Sequence, residues 1–288
     1  MMKQVADASL VRTGIKIIAN PRLRRAGIRC GKAILYNFFF LQYKAALLPG
    51  RIPVSAVDHP LDDVIPFIPG KVAVYLDFVA FWVRVLGFLL DTYCRRGIAG
   101  AVVFMESIRK IYGCAAEVYT KHLSTTRRPH YLAHPKFVLI HATDPHLMCI
   151  PSLHVMVVVR TYTLFRDLIR ALGDEHQYAP QLEEIHQGAL AITEAILYVK
   201  QHSINCIAAT LYTMTRFDPS LFPPEEAEDF VSRLFIHAVL PTQEDSSRIR
   251  NHILDLYRRF LREGTVAASW EAPLLSFLQA QSTEAMPQ

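Results

Sequence analysis

Six residues separate Lys121 from Arg128, and Pro129 follows the arginine, so two cations sit at a fixed spacing beside a rigid residue. Pro151, Ser152, Leu153 and His154 then place a hydroxyl and an imidazole two positions apart. Lys200, Gln201 and His202 add a second imidazole next to a lysine. Two histidines, a serine and several cations are the parts that metal-free phosphoryl transfer requires. One group attacks phosphorus, one protonates the leaving oxygen, and donors neutralise the non-bridging oxygens. Pro151 and Ser152 also form a helix start, where the free amides of Ser152, Leu153 and His154 favour an anion.

These stretches, in this order, resemble the type 2 phosphatidic acid phosphatase superfamily. Its first signature, K-x6-R-P, is matched from Lys121 to Pro129, and its second, P-S-x-H, from Pro151 to His154. The third, S-R-x5-H-x3-D, is matched only at His202; Ala195, Ile196 and Cys206 occupy its serine, arginine and aspartate positions. Lys200-Gln201-His202 is similar to a variant of that motif found in some branches. The Ile65–Pro69 stretch ahead of Tyr75 is similar to the family's early helices, and the resemblance covers roughly residues 30 to 216. It implies His202 as the nucleophile forming a phosphohistidine, and His154 as the acid that later activates water. Lys121, Arg128 and Ser152 would hold the phosphate, and Lys200 would supply the cation that Ile196 lacks. No metal or cofactor is implied, and the substrate would be a lipid phosphomonoester or pyrophosphate. Hydrolysis and headgroup transfer both remain open.

Cys206 is the departure with the largest consequence. An aspartate there would orient the His202 imidazole and stabilise its cation, and a thiol does so poorly unless ionised. Asn205 and Asp144 are the residues expected to reach His202 in its place, and a Cys149–Cys206 disulfide is a further option. A degenerate member that binds lipid phosphate without turnover is therefore an alternative, as is a soluble helical interaction protein carrying coincidental motifs. The bland readings are plain: a lone histidine is usually a core residue, and Lys or Arg near a helix end usually snorkels. His122, His130, His141 and His146 match no zinc spacing and read as polar loop residues.

Composition narrows the field. The 288 residues are 51% apolar with a net charge of +5, and no aromatic-interleaved basic run suggests a nucleic-acid partner. Five cysteines without a C-x-x-C pair exclude zinc ribbons and thioredoxin-like chemistry. No apolar segment of about twenty residues is free of charge, so hydropathy alone leaves membrane and soluble readings open. The family resemblance implies a multi-pass all-α bundle of about six spanning helices.

Apolar periodicity places helices near 33–48, 72–91, 98–118, 150–166, 186–200 and 203–216. Connections alternate in charge. Residues 1–32 form a basic arm, while Asp58, Asp62 and Asp63 mark the first connection. The positive-inside bias puts both termini in the cytoplasm and the three motifs together on the extracytoplasmic face of the plasma (inner) membrane. The organisation expected is an arm (1–32), an embedded phosphatase-like domain (33–216) and an amphipathic helical tail (217–288). That tail is expected on the cytoplasmic side or membrane surface, with disorder from Ser282 onward.

Overall fold

The structure, a computed structural model, describes residues 4–236 and 242–284, with side chains described as far as residue 282. It is helical almost throughout, as the all-α reading expects. Ser9 caps α1 (Leu10–Ala19) by accepting from the Arg12 amide. Asn20 then caps α2 (Pro21–Ile34) through the Arg22 and Leu23 amides, with Pro21 in the first turn. This start lies twelve residues earlier than the helix expected at 33. A π-helical stretch, Leu35–Phe40, carries α2 directly into α3 (Leu41–Leu47). The basic arm is thus a helical pair rather than a free segment, packed on α5 (Phe78–Thr92) and α6 (Cys94–Tyr119).

Six helical segments follow an antiparallel path: α2–α3, then α4 (Val72–Leu76) with α5, α6, α8 (Leu153–Ala171), α9 (Ala179–Tyr198) and α10 (Ile204–Phe217). Their sense follows from what meets at each end. Lys16 pairs with Asp91, and Leu168 packs beside Gly100, at one end. At the other, Phe38, Gln42, Tyr75, Phe78, Tyr112 and His154 line one pocket. The long connections at this end hold strands β1 (Val54–Ala56) and β2 (Leu123–Thr125), paired parallel with Val54 opposite Leu123, and helix α7 (Pro135–Thr143). Among the described residues one helix, Pro69–Thr92, is long and apolar enough to cross a membrane.

The tail departs from the placement expected of it. Helices α11 (Pro224–Arg233), α12 (Gln243–Val266) and α13 (Ala272–Glu284) pack onto the bundle. Ile249, Ile253, Leu256 and Phe260 are buried, with α12 lying along α10. The apolar face read from the sequence is real, but α10 covers it instead of lipid. α13 packs on β1, and the helix runs through Ser282 to Glu284 where disorder was expected; residues 285–288 lie outside the described residues.

Candidate active site

Three connections deliver the motif residues to one pocket. β2 leads out of α6 and holds the loop before α8: Ser124 accepts the Cys149 amide at 3.2 Å and, through Oγ, the Ile150 amide at 2.7 Å. The Tyr119 hydroxyl donates to the Pro151 carbonyl. The third connection is fixed by Asp62, which is buried and accepts the Ile204 amide at 2.9 Å and the His59 amide at 2.7 Å. Asp62 therefore anchors the start of α10, and with it His202, to the connection between α3 and α4. Burial holds the Asp62 carboxyl above its usual range, against the hydrogen bonds from Ser203, Ile204 and His59.

The pocket encloses about 430 Å³ including its opening, and its lining includes Asp144, His146, Cys149, His154, Gln201 and His202. His202 Nε2 lies 3.3 Å from His154 Nδ1 and 3.4 Å from Ser152 Oγ. The His154 ring is stacked on Tyr75 at 4.5 Å and against Phe78 at 4.2 Å, so its orientation is set by packing. Burial and the neighbouring His202 push the His154 imidazole down to about 3. Arg128 reaches the same rim: Nη1 donates to Gln201 Oε1 at 3.1 Å and Nη2 to the Asp144 carbonyl at 2.8 Å.

Not every expected residue arrives. Lys121 is half exposed and pairs with Glu271 just ahead of α13, outside the pocket lining. Lys200, in the left-handed region at φ 53°, donates to the Asp62 carbonyl and so fastens the connection. The Ser152 amide donates to Thr210 Oγ1 at 2.7 Å, which removes it from the anion donors. Asn205 turns away, donating to the Val57 carbonyl and bonding His252 at 2.8 Å. The buried His202 Nδ1 has no hydrogen-bond partner. Cys206 is fully buried against Cys149, and both thiols are free.

One side chain set aside in the sequence is central here. His146, read there as a polar loop residue, is 7% exposed and lines the pocket, while His122 is buried against Ser55 at 2.7 Å. The connection between α7 and α8 passes through the core: Met148, Cys149 and Ile150 are buried, and Ser124 of β2 holds the Cys149 and Ile150 amides. His146 adopts φ 60° and shares a 2.8 Å hydrogen bond with Thr126. Its Nδ1 lies 3.9 Å from Asp144 Oδ2, and its Nε2 3.7 Å from Cys149 Sγ. Burial alone would raise the Cys149 thiol; the Cys206 hydrogen bond and the charge and hydrogen bond of His146 hold it well below the usual range. Burial would likewise lower His146, yet Cys149 and Asp144 push it up to about 9. Asp144, despite its burial, is held at about 2 by hydrogen bonds from His146 and the charges of His146 and Arg128. The Asp144, His146, Cys149 spacing just ahead of Pro151 was the available signal.

Among the described residues no group of three His, Cys, Asp or Glu is disposed to hold a metal ion. The arrangement offers an imidazole nitrogen facing a second imidazole, a hydroxyl beside them and a guanidinium at the rim. Comparison with family models, with curated proteins and with solved structures returns no match.

Proposed function

We propose that this chain is a metal-independent phosphohydrolase acting on a lipid phosphomonoester or pyrophosphate. The observation that carries the reading is the approach of His154 and His202 within one pocket, with Ser152 Oγ 3.4 Å from His202 and Arg128 bonded to Gln201 of its lining, from segments up to 74 residues apart. His202 Nε2 attacks phosphorus as the bond to the leaving oxygen breaks, and His154 gives that oxygen its proton. Water, deprotonated by His154, then attacks the phosphohistidine, the P–N bond breaks and inorganic phosphate leaves. His154 is neutral at rest; a phosphate dianion beside it raises its proton affinity and prepares it as the acid. Arg128 supplies the guanidinium for the non-bridging oxygens, with Ser152 Oγ as a second donor.

A second reading, a lipid-phosphate binder with little turnover, is favoured by the partnerless His202 Nδ1 and by Cys206 where the resembled motif carries its orienting aspartate. Phosphate release from phosphatidic acid in detergent micelles separates the two. Turnover with an acid-labile phosphoenzyme, both lost in His202→Asn while phosphate binding persists, supports the hydrolase. Phosphate binding without release by the wild-type chain supports the binder, and wild-type turnover in His202→Asn refutes the nucleophile assignment.

For the lipid substrate we propose access from a bilayer surface. α9 turns Glu183 and Gln187 outward, and α12 exposes Arg248, Arg258 and Arg259. Such faces suit water or headgroups better than acyl chains.

A further inference from the structure

Twelve of the twenty large apolar side chains exposed among the described residues fall between Leu10 and Leu48. The apolar exposure therefore belongs to one part of the surface, formed by α1, α2 and α3. Val11, Ile15 and Ile18 recur at helical spacing on α1. From α2 through α3 a second stripe runs at steps of three and four residues, and its character changes midway. Arg22, Arg25, Arg29 and Lys32 form its first half; Tyr36, Phe40, Tyr43 and Leu47 form its second, and all eight are exposed. Tyr36 and Phe40 stack at 5.2 Å, which shows that the stripe stays continuous through the π-helical stretch.

The basic half opens onto a groove of about 1500 Å³ between α2 and α6, counting its open side. Arg22, Arg25, Arg29 and Arg95 ring it, over a floor that includes Ile98, Val102 and Val103. Arg29 pairs with Glu106, whereas Arg22, Arg25 and Arg95 have no ion-pair partner among the described residues. Unpaired guanidinium groups above an apolar floor match the phosphate and upper acyl chain of an anionic phospholipid. The aromatic half suits the headgroup boundary, where amphipathic rings are most stable. From Pro21 to Leu47 the stripe is about 40 Å long at the α-helical rise of about 1.5 Å per residue. Phe38 and Gln42, near its far end, line the pocket that holds His154 and His202.

We infer that the α2–α3 stripe is a bilayer-docking surface, specific for membranes rich in anionic phospholipid, with the Arg22–Arg25–Arg95 groove seating a headgroup. Docking along this helix brings the pocket mouth to the level of the lipid headgroups, so a lipid phosphate reaches it laterally. The inference does not depend on turnover, and the two are measured separately.

The test is co-sedimentation of the full chain with phosphatidylcholine vesicles, with and without added phosphatidylserine. Binding is expected only with phosphatidylserine and should weaken as salt is raised. Arg22→Gln with Arg25→Gln should bind about thirtyfold more weakly, from about 1 kcal/mol for each basic residue at the surface. Tyr36→Ser with Phe40→Ser should lose at least about tenfold. Since these side chains are exposed, thermal midpoints should stay unchanged in both double variants. Equal binding to neutral and anionic vesicles, or unweakened binding by both folded variants, overturns the inference. So does a lipid-free dimer that Tyr36→Ser with Phe40→Ser dissociates, which would make a second copy the occupant.

Discussion

Replacing Cys206 by aspartate tests the site where its chemistry is least complete. His202 Nδ1 is buried and without a partner, a condition that costs about 1–3 kcal/mol and leaves the ring free to choose its tautomer. Attack by Nε2 develops positive charge on that ring, so an acceptor at Nδ1 gains strength as the reaction proceeds. A hydrogen bond to a charged group contributes about 1.5–3 kcal/mol, which corresponds to a rate increase of about ten- to two-hundredfold. That is below the roughly four orders of magnitude a fully integrated carboxylate supplies in a hydrolase triad, because this site was not shaped around one. The opposing effect is also visible. Position 206 is fully buried beside Cys149, whose thiol is already held toward its anion, and a second negative charge there carries a desolvation penalty of several kcal/mol. Cys206→Asp should therefore raise kcat in the micellar phosphatidic acid assay, lower the melting temperature and make Cys149 less reactive to alkylation at neutral pH. Cys206→Ser, with no charge, should change turnover little. A folded Cys206→Asp protein with no gain, together with an inactive Cys206→Ala, would refute the reasoning and assign the chemistry to the thiol.

Two further outcomes are expected. Arg128→Lys keeps the charge but loses the fork that spans Gln201 and Asp144, so isothermal titration with inorganic phosphate should show binding weakened about tenfold or more; unchanged affinity would remove Arg128 from the phosphate site. Chemical denaturation should show stability highest on a plateau from about pH 6.5 to about 8.5, falling on both sides, because in that window the loss at His146 is opposed by the gain at Cys149, whose thiol is held well below its unfolded value. His146, raised to about 9, stabilises fully below its unfolded value of about 6.5 and loses that contribution, on the order of 3 kcal/mol, as pH rises through about 9. His154, lowered to about 3, is protonated first in the unfolded chain, so stability falls as pH drops from about 6.5 toward 3. Asp144, held at about 2, adds to the acid loss below about 3.8. His146→Gln should flatten the alkaline side and also shrink the acid loss at Asp144, which His146 holds low; an unchanged alkaline slope would show that His146 is not held charged.

Short-range features were legible in the sequence because their causes are short-range. Periodicity located the body of each helical segment in α5, α6, α8, α9 and α10, and Pro151 with Ser152 marked the start of α8. Spacing nominated His154 and His202, which line one pocket, and Arg128, which bonds Gln201 of that lining. The Asn20–Pro21 helix start is also a local signal, and it places the first helix twelve residues ahead of the position its apolar periodicity marks. What needed the tertiary structure was every competition between distant partners. Lys121 has the spacing of a phosphate ligand, but a carboxylate 150 residues later takes it. Lys200 and Asn205 flank His202 in sequence, yet the carbonyls of Asp62 and Val57, from the first long connection, draw them aside. The tail's amphipathic pattern states that one face must be buried; whether protein or lipid buries it depends on whether α10 has an open side, which no local pattern records. The same holds for His146 and Cys149, whose burial and mutual charge exist only because β2 draws their loop through the core. Local propensity depends on neighbours along the chain, whereas the state of a charge depends on what the fold places within a few ångströms of it.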